Sequence, residues 1–375
     1  TPTPMPTDSP EQLNAACQTV KAHREPVSSL AQSPDGKLLV SGSRDRTIKL
    51  WSLPDGTLLK TLDASPIYAV AISPEGKFLL SGGEDKAISL RSLPEGETLK
   101  TLKGHTDKVA ALALTPDGKF LVSGSWDQTL KIWSLPEGTL LKTLQAHTQK
   151  VYTLAISPDG KFAASGSGDY TINIWSLPEG VLLKTLKGHT SAVDTLAITP
   201  DGKLLVSGSW DNTIKLWSLP EGAFIQDIKG HTDWVYTLAV SPDGKMLVSG
   251  SKDSTIRLWS LPEGTLLETL NGHVNAVTAL TVSSDNRMLV SGSSDSVIRM
   301  WSLPEGESMG CTIDSRANAG EVKRSTYDVK DASGGVVTST LPCGSPIPGD
   351  AVCTCNCVGL TGKGGSGSGH YWYPN

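Results

Sequence analysis

Five tryptophans, Trp133, Trp175, Trp217, Trp259 and Trp301, recur every 42 residues. The segments that end on them, 105–133, 147–175, 189–217, 231–259 and 273–301, are near-copies of one another. A period of this length dictates the architecture before any other feature is weighed. One copy shows what is repeated. Val109–Leu114 is an apolar run of strand length, and Thr115-Pro-Asp-Gly-Lys119 supplies turn chemistry. Phe120–Ser123 reads as a second strand, Ser125–Gln128 as a tight turn and Thr129–Trp133 as a third strand. Leu135-Pro-Glu-Gly138 turns again into Thr139–Leu144. Four short strands joined by tight turns make one twisted antiparallel sheet. Such a sheet has two apolar faces that it cannot cover alone, and radial stacking of copies covers both.

Three-strand cores occur at 23–51, 64–91, 105–133, 147–175, 189–217, 231–259 and 273–301. The spacing predicts an all-β, seven-bladed propeller of four-stranded antiparallel blades. Ala16–Val20 resembles a fourth strand that lacks its own first three, while the segment after Trp301 (Glu307–Ile313) is a poor one. The ring is therefore expected to close by pairing the N-terminal strand with 296–301, which removes two open sheet edges. This proximity also predicts a disulfide between Cys17 and Cys311.

The repeats resemble the WD-repeat family over roughly residues 14–306. The resemblance rests on Gly-His at 104–105, 188–189, 230–231 and 272–273, Ala-His at 22–23 and 146–147, and the terminal Trp. Where the family usually ends on Trp-Asp, this chain has Trp-Ser, as at Trp133-Ser134. The resemblance implies a hydrogen-bond network shared by a His, a Ser, an Asp and the Trp of each unit. Matched position by position, it comprises His105, Ser123, Asp127 and Trp133 in the third unit and His189, Ser207, Asp211 and Trp217 in the fifth. The units that begin at His23, His147, His231 and His273 carry equivalent sets. A Ser-His-Asp set is also the signature of hydrolytic chemistry. Six copies in one ring argue instead for a structural role, since linked partners satisfy buried donors and pin strand register. The second unit departs from the pattern: it is two residues short, lacks the His and ends in Arg91, so it is expected to be the softest blade.

A binding surface should lie where the copies disagree. The residue before the turn Asp varies (Arg44, Glu84, Trp126, Gly168, Trp210, Lys252, Ser294), and so do two positions at the start of the first strand, such as Pro66/Tyr68, Ala192/Asp194 and Trp234/Tyr236. In the WD-repeat family these positions share one face around the axis. Trp126, Tyr152, Trp210, Trp234 and Tyr236 would then form an aromatic arc over blades three to six, bordered by Lys108, Lys150 and Lys252. Aromatics so placed favour interfaces; drift at tolerant loop positions is the alternative.

The flanks differ in composition. Residues 1–13 form a Pro/Thr-rich linker, 14–306 the propeller and 307–375 a Cys-rich extension. The chain starts at Thr1 without Met, leaving room for a removed upstream piece. No cysteine lies between Cys17 and Cys311, so the repeats need no crosslinks. Cys343, Cys353, Cys355 and Cys357 admit two disulfides, a metal site completed by His370, or a modified or crosslinked cluster. The net charge of -5 is spread evenly, which disfavours nucleic acid, and no apolar run approaches the roughly 18–20 residues of a membrane span. No cofactor is implied. These features predict a non-enzymatic scaffold for protein partners, copies of itself included, with assembly into a surface layer or filament through its termini. A glycan-binding propeller, or metal or redox chemistry carried by the tail cysteines, is the alternative. An extracellular or cell-surface location is expected, with the cytoplasm as the alternative.

Overall fold

A computed structural model describes residues 18–303 in full, together with the backbone of Cys17 and of four later strands: Arg324–Lys330, Val336–Pro342, Val352–Val358 and Ser366–Tyr371. Asn14–Leu303 forms one compact unit. Within it seven four-stranded antiparallel sheets follow one another. Six are built from consecutive strands; blade 3, for example, comprises Val109–Leu114, Phe120–Ser125, Thr129–Ser134 and Thr139–Gln145. The first strand of every blade abuts those of the two neighbouring blades, and Val27–Gln32 meets Val277–Val282, so the first strands encircle the axis and the fourth strands lie outermost.

Blade 7 takes its outer strand from the start of the chain. Cys17–Lys21 pairs antiparallel with Val297–Ser302, with Cys17 opposite Trp301 and Lys21 opposite Val297. The strand lies one residue later than its sequence predicts, and the seam falls where expected. The second strands also run two residues further, to Ser125 in blade 3, because the Ser-Gly-Ser segment remains paired to the first strand. Its glycine explains the motif: a Cβ at Gly208 would lie 2.7 Å from Val235 Cγ1 of the next blade, and one at Gly292 would lie 2.6 Å from Val27 Cγ1 across the seam.

The core lies between blades. Ile172, Ile174 and Leu186 of blade 4 pack with Val193, Leu205, Trp217 and Leu219 of blade 5. Trp51 packs likewise against Val290, Ile298 and Met300 of blade 7. Each such tryptophan buries its ring against the preceding blade, a burial worth roughly 2–3 kcal/mol. The junction of blades 1 and 2 has no such ring and relies on Val40, Ile48, Leu50, Leu62, Ile67, Val70 and Leu79. There the half-buried guanidinium of Arg91 hydrogen-bonds the carbonyl of Asp63 at 2.8 Å and the hydroxyl of Ser89 at 3.3 Å. On the perimeter, a side chain of six of the outer strands reaches a turn carbonyl of the next blade, as Lys60 Nζ does Glu95 at 2.6 Å, Gln226 Nε2 does Pro262 at 2.8 Å, and Lys142 Nζ does Glu179.

The strands beyond residue 303 form a sheet of their own, in the order Val336–Pro342, Arg324–Lys330, Val352–Val358, Ser366–Tyr371. Cys353 stands opposite Tyr371, and Thr354 opposite His370. The expected Cys17–Cys311 bridge, the linker 1–13 and Cys343 lie outside the described residues, as do the side chains of Cys353, Cys355, Cys357 and His370. Among the described residues no cluster of metal-ligating side chains occurs, and no helix is long and apolar enough to cross a membrane.

Candidate functional site

The Ser-His-Asp-Trp sets come together in six blades. In blade 3, His105 Nδ1 lies 2.8 Å from Asp127 Oδ2, His105 Nε2 lies 2.8 Å from Ser123 Oγ, and the Trp133 indole N–H donates to the same oxygen at 2.9 Å. Asp127 also accepts from the Thr106 amide and from the amide and hydroxyl of Thr129. A carboxylate on Nδ1 fixes that nitrogen as the donor, so in the neutral ring Nε2 accepts from the Ser123 hydroxyl. The result is a one-way relay: Trp N–H to Ser, Ser O–H to His, His N–H to Asp. Blade 5 repeats it with His189, Ser207, Asp211 and Trp217 at 2.8 to 2.9 Å. Burial alone would raise the Asp carboxyls. The His, the Thr hydroxyl and the amide outweigh it and hold Asp127 and Asp211 well below the usual carboxylate range. Asp45 is lowered to about 2 against the same burial penalty by Thr47, the Arg24 amide and His23.

The distances match those of a catalytic triad, but the chemistry does not follow. Ser123 and Ser207 are fully buried, and the indole N–H occupies the oxygen that would have to attack. No substrate carbonyl can reach it. In five of these six blades the Thr two residues after the turn Asp is a fifth member that the sequence reading missed, although Asp-x-Thr recurs at 127–129, 169–171 and 211–213; blade 7 has Val297 there.

The variable positions assemble into a different kind of site. A backbone bond from the amide before the turn Asp to the carbonyl before the first strand holds each pair of loops together: Trp126 to Lys108, Gly168 to Lys150 and Trp210 to Ala192, at 2.9 to 3.0 Å. Residues of these loops therefore share one face with the first-strand positions Tyr68, Tyr152, Asp194 and Tyr236. On that face the rings make an unbroken series. Tyr68 meets Trp126 edge-on at 5.6 Å, Trp126 meets Tyr152 at 6.3 Å and Tyr152 meets Trp210 at 5.4 Å. Trp210 stacks on Trp234 at 4.4 Å with 9° between planes, and Trp234 meets Tyr236 edge-on. Tyr68 extends the arc into blade 2; its repeat position, shared with Tyr152 and Tyr236, was the signal available.

Cations lie over the rings. Lys150 Nζ is 4.0 Å from the Trp126 centroid, Lys252 Nζ 4.1 Å from Trp234, and Lys108 Nζ 5.0 Å from Trp126. Lys108 also pairs with Glu84, and Lys252 lies 3.3 Å from Asp233. Asp194, unremarked in the sequence beyond its variability, sits among the rings. Protein surrounds its carboxyl although the residue as a whole is only part-buried, and this desolvation pushes its pKa up to about 7. The Trp210 indole N–H approaches closely enough to favour the charged form but is not aligned as a hydrogen bond. Burial and the Asp194 charge raise Tyr152, and with Asp233 they push Tyr236 up to about 12.

Comparison with known proteins agrees with this construction. Residues 112–307 match the family model of the TEP-1 second beta-propeller, and residues 15–52 and 56–91 each match that of the WD domain, G-beta repeat. Curated relatives align over shorter stretches. Transducin beta-like protein 3 of Mus musculus is 50% identical over 52 residues, which is 14% of this chain and 6% of that protein. Its counterpart in Rattus norvegicus is 52% identical over 44 residues, 12% of this chain and 6% of that protein. The Notchless protein homolog of Arabidopsis thaliana is 47% identical over 49 residues, 13% of this chain and 10% of that protein. The matched segments span a tenth or less of these relatives. With the first model matching more than half of the chain, and seven four-stranded blades closed into a ring, the chain belongs to the WD-repeat β-propeller family.

Proposed function

We propose that this propeller is a non-enzymatic scaffold that holds a protein partner on the aromatic face around its axis. The observation that carries the reading is the unbroken series of six rings from Tyr68 to Tyr236, partly exposed and flanked by lysines. Elsewhere in the ring, tryptophans are buried at blade junctions. These six rings are not needed there, and partly exposed aromatics at neighbouring positions supply rigid contact area at low entropic cost. The family relationship supports the same reading, since WD-repeat propellers are commonly interaction scaffolds. A second copy of this chain is one admissible partner.

The test is quantitative affinity capture on immobilised full-length protein beside a Trp210→Ala variant of matched folding. Loss of a defined set of bound proteins on substitution is expected. Retention of the whole set would overturn the assignment. Loss of glycan binding alone on an oligosaccharide array would transfer the face to carbohydrate.

A further inference from the structure

The aromatic face has one gap, and the gap has a shape. Of the residues before the turn Asp in blades 3, 4 and 5, Trp126 and Trp210 carry indoles, while Gly168 between them carries nothing. The backbone does not account for the glycine. Its amide bonds the Lys150 carbonyl at 2.9 Å, as those of Trp126 and Trp210 bond their counterparts, and its φ lies outside the left-handed region. A Cβ there would meet Tyr152 Cε2 at 3.3 Å and Gln149 Cβ at 3.4 Å, so the Tyr152 ring would have to yield by a few tenths of an ångström. What the missing indole leaves is a cavity of about 230 Å³, walled by Tyr152, Trp210, Tyr170, Lys150, Gln149 and Ala192. A cavity of about 150 Å³ already admits a benzene ring.

The electrostatics of the notch select among guests. Lys150 is an exposed residue of its wall whose ammonium lies over the Trp126 ring of the preceding blade, and no carboxylate pairs with it among the described residues, whereas Lys108 and Lys252 are each matched to an acid. Tyr152 and Trp210 offer ring faces and edges to a planar guest, and Tyr170, 49% exposed, stands at the rim. Aliphatic side chains would gain burial there but no ring contact, and a carboxylate beside the guest would meet the Lys150 ammonium in a charge-assisted hydrogen bond.

We infer that the Gly168 notch is a specificity pocket for an aromatic side chain of the partner protein, with a carboxylate beside it that Lys150 receives. This rests on the aromatic face being the docking surface, and it makes the vacant repeat position the recognition element. The partner's ring takes the place that an indole fills in the adjacent blades.

The test uses the full chain and three small probes: N-acetyl-tyrosine, its amide, and N-acetyl-leucine, titrated by ligand-observed NMR. N-acetyl-tyrosine is expected to bind most tightly. Gly168→Trp, which copies the neighbouring repeats, should weaken it by about tenfold or more, the equivalent of 1.4 kcal/mol. Lys150→Met should bring the acid down to the affinity of the amide and leave the amide unchanged. Trp126→Gly should open a second notch and raise the number of bound probes. Equal binding by N-acetyl-leucine, or N-acetyl-tyrosine binding indifferent to Gly168→Trp in a variant that melts as the parent does, would overturn the inference. If Gly168→Trp lowers the melting temperature, unchanged probe stoichiometry in Trp126→Gly decides against it. Loss of partner capture on Trp210→Ala together with probe binding unaffected at Gly168 would sink the pocket and leave the docking face standing.

Discussion

Ser207 is the point at which the relay of blade 5 is most easily cut. Its hydroxyl lies 2.8 Å from His189 Nε2 and accepts the Trp217 indole N–H at 2.9 Å, and the residue is fully buried. Ser207→Ala leaves two buried polar atoms without a partner, and water cannot replace the oxygen without a cavity. Each orphaned group costs about 1–3 kcal/mol, so the variant should lose about 2–5 kcal/mol. Ser81 provides the internal control. It holds the same position in blade 2, where Arg91 stands in place of the Trp and no His precedes the first strand. Ser81→Ala should therefore cost about 1 kcal/mol or less, the ordinary price of a hydroxyl. Urea unfolding followed by tryptophan fluorescence measures both, provided the slopes stay equal. Equal losses for the two variants, or a loss below about 0.5 kcal/mol for Ser207→Ala, would refute the idea that the shared oxygen carries the network.

Other outcomes follow from neighbouring features. Native-state hydrogen exchange should release the amides of 64–91 before those of 189–217, because blade 2 has neither the relay nor a tryptophan at its junction with blade 1; equal protection would contradict this. Gly208→Ala forces a methyl to 2.7 Å from Val235 Cγ1 and Thr195 Cγ2 and should destabilise by about 1–3 kcal/mol, with partial recovery when Val235→Ala makes room; an undiminished melting temperature would argue against the close approach. Asp194 has a pKa raised to about 7 against roughly 4 when unfolded, so its contribution is fully present below about pH 4 and is lost as pH rises through 7. Asp194→Asn should thus raise the melting temperature more at pH 8 than at pH 5, and an equal change at both would show that the carboxyl, facing Tyr152, Tyr236 and Trp210, is well solvated.

The architecture was legible because a period of 42 residues leaves few ways to bury both faces of a small sheet, and because Ala16–Val20 reads as an outer strand in search of a blade. Contacts within one repeat were legible for the same reason: His, Ser, Asp and Trp recur at fixed spacing. Contacts between repeats were harder. That Trp210 stacks on Trp234, or that Tyr68 joins the arc, depends on how far the ring turns from blade to blade and on side-chain rotamers, neither of which a single repeat encodes. Gly168 was visible as a variant residue, but an absent side chain becomes a pocket only when its neighbours do not fill the space. The role of Arg91, bonding Asp63 and Ser89 where a ring would have packed, likewise needed coordinates.

The seam of the ring has a mechanical side. Cys17 lies opposite Trp301, so the chain enters the five-residue seam strand at the same end at which it leaves Val297–Ser302. Tension applied through both flanks would part this ladder one rung at a time, as a zipper opens, instead of shearing all its bonds together. The six blades made of consecutive strands would feel no load until the seam had gone. A tug on the flanks would thus turn a closed ring into an open arc, with the outer edge of Val297–Ser302 bared first.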